Sequence, residues 1–119
     1  MIRLRVRLHA DGSLGGFSAS GHAGAGARGE DIVCAAATAL LRTTAGLLAG
    51  QPDLAVEGGS PAEGQMHLSL PEAPAAKREW LRGVTAMLVA GLTDLARESP
   101  ERLELRIEEE AIGEDRHGT

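Results

Sequence analysis

Hydrophobic and polar side chains alternate strictly over the first nine residues, with hydrophobic residues at positions 2, 4, 6 and 8. This period of two predicts a β-strand that buries one face. A turn signal, Ala-Asp-Gly-Ser at residues 10–13, separates it from a second run over Leu14 to His22. The two runs together predict a β-hairpin at the start of the chain.

Helical spacing replaces the alternation further along the chain. Asp31 is a suitable N-cap for a helix that runs to about Ala49, where Gly-Gln-Pro at residues 50–52 ends it. Hydrophobic positions that recur at intervals of three and four predict the inward face of this helix. That face comprises Val33, Ala37, Leu40, Thr44 and Leu47.

A second, longer helix is expected from about Ala75 to Glu98. Pro71 and Pro74 precede it, and Ser-Pro at residues 99–100 ends it. We interpret its apolar face as part of the core or as a dimer interface. The face comprises Trp80, Val84, Met87, Leu88, Gly91, Leu92 and Leu95.

Three further strands complete the predicted fold. Residues 54–57 and 65–70 predict a second hairpin around a turn at residues 58–61, and residues 103–108 alternate as a last strand. The order β-β-α-β-β-α-β predicts an α+β fold, with two helices on one face of a mostly antiparallel sheet of about five strands. We expect a single domain over residues 1–108 and an acidic, disordered tail over residues 109–119.

Composition excludes several classes of protein. The 119 residues include one Trp, one Phe and no Tyr, and the net charge is −5, so direct nucleic-acid binding is not expected. A single cysteine excludes an intramolecular disulfide and a Cys-rich metal site, and it fits the reducing cytoplasm. No apolar run approaches the ~20 residues needed to span a bilayer, and the chain opens as a strand rather than as a signal peptide. We therefore expect a cytoplasmic protein that does not associate with membranes.

The strongest chemical signal is the pair formed by His22 and Cys34, the only cysteine. A thiol near a helix N-terminus and an imidazole can become a nucleophile, with Cys34 attacking a carbonyl and His22 acting as general base. With Asp31 as N-cap, Cys34 is the third helical residue, next to backbone N–H groups that could bind an oxyanion. Either Asp31 or Glu30 could orient the imidazole. Between the pair, Gly24, Gly26 and Gly29 favour a flexible loop over the site.

Other readings of these residues remain open. A cysteine in an Ala-rich helix is often just a small hydrophobic residue, and an exposed reactive one could serve as a redox sensor. The alternating Arg3, Arg5 and Arg7 could form a ribosome- or RNA-binding face, although Glu104 and Glu108 could balance them across strands. The remaining histidines lack partners at metal-ligand spacing, so neither a metal nor another cofactor is expected. These histidines are His9, His67 and His117.

Two motifs at this spacing resemble the ribosomal-processing cysteine protease family (Prp, or YsxB-like). They are Gly-His-Ala at residues 21–23 and Gly-Glu-Asp-Ile-Val-Cys-Ala-Ala at residues 29–36. The resemblance also covers the opening strand, the loop length, the long second helix and the chain size. It implies a small homodimeric bacterial protease whose Cys-His pair removes the N-terminal extension of a large-subunit ribosomal protein, the one numbered twenty-seven.

The resemblance also implies roles for individual residues. The nucleophile corresponds to Cys34, the base to His22 and the acidic motif residue to Asp31, while residues 23–29 correspond to a flexible cover over the site. The chain departs from the family pattern at Thr38, where serine is usual, so the hydroxyl is kept and a methyl is added. Gly21 and Ala23, which flank the histidine, complete the supporting residues.

Overall fold

The computed structural model describes residues 1–21, 28–59 and 65–110, and of residues 28–31 it describes the backbone only. The elements follow the predicted order β-β-α-β-β-α-β, and the α+β class is confirmed. In chain order they are β1 (Ile2–Leu8), β2 (Leu14–Ser20), α1 (Arg28–Ala49), β3 (Glu57–Gly59), β4 (Gln65–Ser69), α2 (Ala75–Glu98) and β5 (Leu103–Glu109).

The five described strands form one mixed sheet in the order β3-β4-β2-β1-β5. The pairs β1–β2, β2–β4 and β3–β4 are antiparallel, whereas β5 joins β1 in parallel, with Ile2 opposite Leu103. The alternation in β1 works as predicted: its hydrophobic residues are buried and its arginines are exposed. Both helices contribute to the core that forms on the buried face.

The first helix begins earlier than predicted. It starts at Arg28, so Asp31 lies inside its first turn and is not the N-cap. Its inner face also differs in part from the predicted one, because Leu41 and Leu48 are buried whereas Leu47 is 44% exposed. A helix turns 100° per residue, so an error of one position moves a side chain from the inner face to its flank.

The second helix has the predicted bounds, but its buried face is rotated by one residue. Leu81, Thr85, Leu88 and Leu92 point inward, while Trp80 and Met87 are exposed. Thr85 explains the difference, because it is a polar residue with a structural role in the core. Its hydroxyl donates to the Leu81 carbonyl oxygen at 2.7 Å and accepts from the Leu14 N–H at 3.0 Å, which fastens α2 to the start of β2.

The third strand was predicted three residues too early. Residues 54–56 lie outside the sheet, and the residues read as a turn, Gly58 and Gly59, belong to β3. At Gly58 a Cβ atom would lie only 2.5 Å from the His67 carbonyl oxygen, so the close approach of β3 to β4 requires glycine there. The glycine that suggested a turn is therefore a packing residue of the sheet.

The end of the described chain extends beyond the predicted domain boundary. Glu109 is the last residue of β5, and the Glu110 N–H donates to the Leu8 carbonyl oxygen at 2.9 Å. Glu109 and Glu110 therefore belong to the folded domain and not to the predicted tail. The rest of that prediction concerns residues 111–119, which lie outside the described residues.

Within the described residues, one stretch of α1 is long and apolar enough to cross a membrane, contrary to the sequence-based expectation. It comprises residues Ile32–Ala49. By these criteria alone a core helix of a water-soluble domain cannot be told from a membrane span. In this fold one face of the stretch, including Val33, Leu41 and Leu48, is buried in the core.

Candidate active site

Cys34 is the seventh residue of α1 and lies in its second turn. The side chain is half-buried and packs against the edge of the core. Its Sγ atom lies 4.0 Å from the Oγ1 atom of Thr38, one turn later on the same flank of the helix, and either atom could donate. The threonine methyl therefore does not prevent the hydroxyl from facing the sulfur.

The start of α1 changes the predicted surroundings of the thiol. Because the helix begins at Arg28, the N–H groups without intrahelical partners belong to its first turn, one turn before Cys34. The prediction that Cys34 is the third helical residue is wrong, and the field of the helix end weakens beyond the first turn. Gly29, predicted to be part of the flexible cover, is a residue of this first turn, as is Asp31.

The backbone before the predicted base is closely constrained. Gly21 follows β2 with a φ of 74°, in the left-handed region that favours glycine. A Cβ atom there would also lie 2.5 Å from the Met1 carbonyl oxygen. Two independent requirements therefore select glycine at the first position of the Gly-His-Ala motif.

The other half of the predicted site is not placed by this structure. His22, Ala23, Gly24 and Gly26 lie outside the described residues. The structure therefore brings Cys34 and Thr38 together, while the pairing of His22 with Cys34 remains a prediction.

A cavity of about 420 Å³ lies farther along the flank of α1 that carries Cys34. We call it the Cys-side cleft. It opens between α1 and the β3–β4 pair, and its lining is mostly small or apolar, with two basic side chains. The lining residues are Arg42, Ala45, Gly46, Ala49, Val56, Gly58, Gly59, Met66, His67 and Leu68. Sequence analysis missed this cleft, since alanine and glycine carry no chemical signature in a sequence.

The opposite flank of α1 forms a second concave surface, together with α2. This Trp groove has a volume of about 580 Å³ and includes Leu40, Leu47, Trp80, Val84 and Met87 in its lining. Met87 is 74% exposed, which is unusual for a large hydrophobic residue. The Lys77 ammonium lies 5.0 Å from the centroid of the Trp80 ring, within the range of a cation–π contact.

The basic face of β1 is compensated by neighbouring acids. Arg3 lies 3.4 Å from a Glu104 carboxylate oxygen and Arg5 lies 3.6 Å from one of Glu108, both across the parallel β1–β5 pair. Arg7 donates to the Gly15 carbonyl oxygen at 2.9 Å. The cross-strand balance expected from the sequence is confirmed, and no contact of this face specifically favours an RNA-binding role.

Residues 1–104 match the sequence profile of the family described as "Cysteine protease Prp". No protein of curated function is similar enough in sequence to count as a relative.

Three solved structures share the fold over nearly the whole chain. SMU.848 from Streptococcus mutans is 28% identical, with a TM-score of 0.77 over 92% of this chain and 96% of the other. The ribosomal processing protease Prp of S. aureus in complex with a substrate peptide is 20% identical, with a TM-score of 0.73 and coverage of 91% and 100%. The same S. aureus protein with a covalently linked product peptide gives 21% identity, the same TM-score and the same coverage.

Proposed function

Because the chain belongs to the Prp family and is a cysteine protease, we propose that it removes the N-terminal extension of a large-subunit ribosomal protein in the cytoplasm. The observation that carries this proposal is the position of the only cysteine. Cys34 is half-buried within the segment that matches the family, on the flank of α1 that continues into the Cys-side cleft. Peptide complexes of the S. aureus protease, which has this fold, support a peptide substrate.

The proposed mechanism uses Cys34 as nucleophile and His22 as general base. His22 takes the proton of the Cys34 thiol, and the sulfur attacks the scissile carbonyl carbon. The tetrahedral intermediate collapses when His22 returns the proton to the leaving amine, which leaves an acyl-enzyme thioester. Water, deprotonated by His22, then hydrolyses the thioester and restores the thiol. Gly21 and Ala23 frame the base, and Asp31 orients it.

Thr38 supports the nucleophile in this proposal. Its hydroxyl, 4.0 Å from Sγ, can donate to the sulfur when the sulfur is a thiolate. The segment before α1, with Gly24 and Gly26, acts as the cover that closes over the bound peptide.

The Cys-side cleft suggests how the substrate lies on the enzyme. Ala45 is eleven residues after Cys34 on one helix, which corresponds to an axial distance of about 16 Å. An extended peptide covers about 3.3 Å per residue, so the cleft receives a side chain about five residues from the scissile bond. Its small and apolar walls suit an apolar side chain, and Arg42 at the rim suits a nearby acid or a peptide carbonyl.

We further propose that the protein is a homodimer that buries the Trp groove. The support for this surface is its exposed hydrophobic area: Met87 is 74% exposed, Leu47 is 44% exposed and Trp80 is 37% exposed, all in one groove. A dimer through this surface would leave the Cys-side cleft, on the opposite flank of α1, open to substrate.

The test of the protease uses a peptide that spans the N-terminal extension of the host's own ribosomal protein. Mass spectrometry should find a single cut by the wild type and none by Cys34→Ala, while the control variant Ala90→Ser, at an exposed residue of α2, should cut normally. Alkylation should abolish the activity, because Cys34 is the only thiol. Cleavage by Cys34→Ala would refute the nucleophile, and an intact peptide with reduced wild-type enzyme would refute the proposed substrate.

A further inference from the structure

A group of three potential metal ligands in the described residues lies at the end of the sheet where β1 and β5 finish. His9, Glu72 and Glu110 each offer one ligand atom here, and these atoms lie within 4.8 Å of one another. The three residues come from the end of β1, the connection between β4 and α2, and the end of β5. The sequence had suggested no ligand-spaced partner for His9.

His9 is buried, with only 8% of its side chain exposed, and both ring nitrogens face oxygen atoms. Nε2 lies 3.1 Å from the Leu70 carbonyl oxygen, which can only accept, so Nε2 carries a proton and donates. In the neutral ring the lone pair of Nδ1 then faces a carboxylate oxygen of Glu110 at 3.3 Å. Either a proton on Nδ1 or a bound cation can lie between these two atoms, and the exposed Glu72 nearby adds a third ligand for a cation.

This arrangement is the one found around metal-bound histidines. Such a histidine typically donates its second ring N–H to a backbone carbonyl, which fixes the tautomer and the direction of the coordinating lone pair. With metal–ligand bonds of about 2.0–2.2 Å, two ligands of a tetrahedral zinc ion are about 3.3–3.5 Å apart. The distance between His9 Nδ1 and the Glu110 oxygen, 3.3 Å, fits that spacing. Glu72 is exposed, and its ligand oxygen lies within 4.8 Å of the other two ligand atoms.

Backbone hydrogen bonds hold the surrounding segments in place. The His9 N–H donates to the Ser13 carbonyl oxygen, and the Glu110 N–H donates to the Leu8 carbonyl oxygen. The ring of His9 lies over Gly15, where a Cβ atom would come within 3.2 Å of it. The site is therefore preorganised on its buried side, as a metal centre requires.

We propose that His9, Glu72 and Glu110 bind a divalent transition-metal cation such as Zn²⁺, with water completing the shell, and that this ion fastens the ends of β1 and β5 to the connection before α2. One nitrogen and two carboxylates suit zinc among the common ions. The role is structural, since the site belongs to elements other than the helix that carries the nucleophile.

The test is calorimetric titration of the full chain with Zn²⁺, made on three matched proteins. The wild type should bind one equivalent, and Glu72→Gln should weaken binding at least tenfold. Because Glu72 is exposed, this variant should fold normally. Glu109→Gln, whose side chain leaves β5 on the opposite face, should bind like the wild type.

A second measurement separates this site from the thiol, which could also bind zinc. The zinc-dependent rise in the thermal midpoint, roughly 5–10 °C at hundredfold excess over Kd, should persist in Cys34→Ala and disappear in Glu72→Gln. With Co²⁺ as the probe, tetrahedral absorption bands should follow the same pattern. Absence of wild-type binding, or binding that Cys34→Ala abolishes and Glu72→Gln leaves intact, would overturn the proposal.

Discussion

The two flanks of α1 carry concave surfaces that differ in the size of their side chains. On the flank that continues from Cys34, the Cys-side cleft is lined mainly by alanine, glycine and medium-sized apolar residues. On the other flank, the Trp groove presents Leu47, Trp80 and Met87 to solvent. Small walls leave room for a chain to enter, whereas large exposed side chains provide the area that a protein partner covers. In the proposed function, one flank of α1 therefore binds the substrate and the other forms the dimer interface.

The largest expected effect comes from introducing a negative charge into the Trp groove, the proposed dimer interface. Met87→Asp should weaken dimerisation about a hundredfold, because a carboxylate would be buried without a partner. Cleavage of a short peptide should change little. Sedimentation equilibrium measures the first property and peptide kinetics the second. Ala90→Asp, exposed on α2 outside the groove, is the control, and an equal effect of the two variants would argue against the groove as interface.

In the β3 wall of the Cys-side cleft, Gly58 is not expected to tolerate a larger side chain, whereas its neighbour Gly59 is. Gly58→Ala would place a methyl group 2.5 Å from the His67 carbonyl oxygen, and the strain should destabilise the fold by about 1–3 kcal/mol. Gly59→Ala makes no contact within 4 Å and should be nearly neutral. Urea denaturation of both variants measures the difference, and equal stabilities would contradict the close approach of β3 to β4.

Filling the cleft itself should impair cleavage without affecting assembly. Ala45→Phe should lower kcat/KM about tenfold, because the new ring would occupy space proposed for the substrate, a loss of about 1.4 kcal/mol in transition-state stabilisation. Ala90→Phe, at an exposed residue of α2 that lines neither cavity, is the control. If Ala45→Phe cleaves the peptide as the wild type does, the substrate does not use this cleft.

The smallest expected effect is on stability and concerns Asp11, which lies in a turn that lines neither the Cys-side cleft nor the Trp groove. Hydrogen bonds from the Ser13 hydroxyl and N–H lower the pKa of the Asp11 carboxyl below its ordinary value of 3.8, with small contributions from Arg82 and Arg78. Because the pKa of this carboxyl is lower in the folded than in the unfolded state, its ionised form stabilises the fold at pH values above the unfolded-state pKa. This stabilisation is lost as the pH falls through the folded-state pKa. Asp11→Asn should therefore be slightly less stable near neutral pH, and the gap should close in acid. A gap in urea midpoints that stays constant with pH would refute the charge effect.

The sequence predicts the bounds of an element correctly where characteristic residues precede and follow it. Pro74 and the Ser-Pro at residues 99–100 bracket α2, and its bounds are the predicted ones. The strict alternation of β1 likewise identified its buried face. Where one residue had two possible roles, the prediction failed: Asp31 suits a cap but lies inside α1, and Gly58 suits a turn but packs within β3.

Features made by distant residues were out of reach of the sequence. Thr85 is buried because it bonds to Leu14, 71 residues away, and without that contact its polar side chain breaks the apolar pattern of α2. His9 meets Leu70 and Glu110 across 61 and 101 residues. The candidate nucleophile could be named from its motif, whereas the cleft beside it depends on how the β3–β4 pair packs on α1.

The parallel pairing of β1 with β5 has a consequence for biosynthesis. Ile2, the first residue of β1, pairs with Leu103, about a hundred residues later, so the second neighbour of β1 is made only near the end of the described chain. Non-local pairs of this kind form slowly, because a long loop must close before the contact is gained. The core of the emerging chain stays incomplete until β5 is synthesised, which delays the appearance of a fully folded protease until translation of the domain is almost finished.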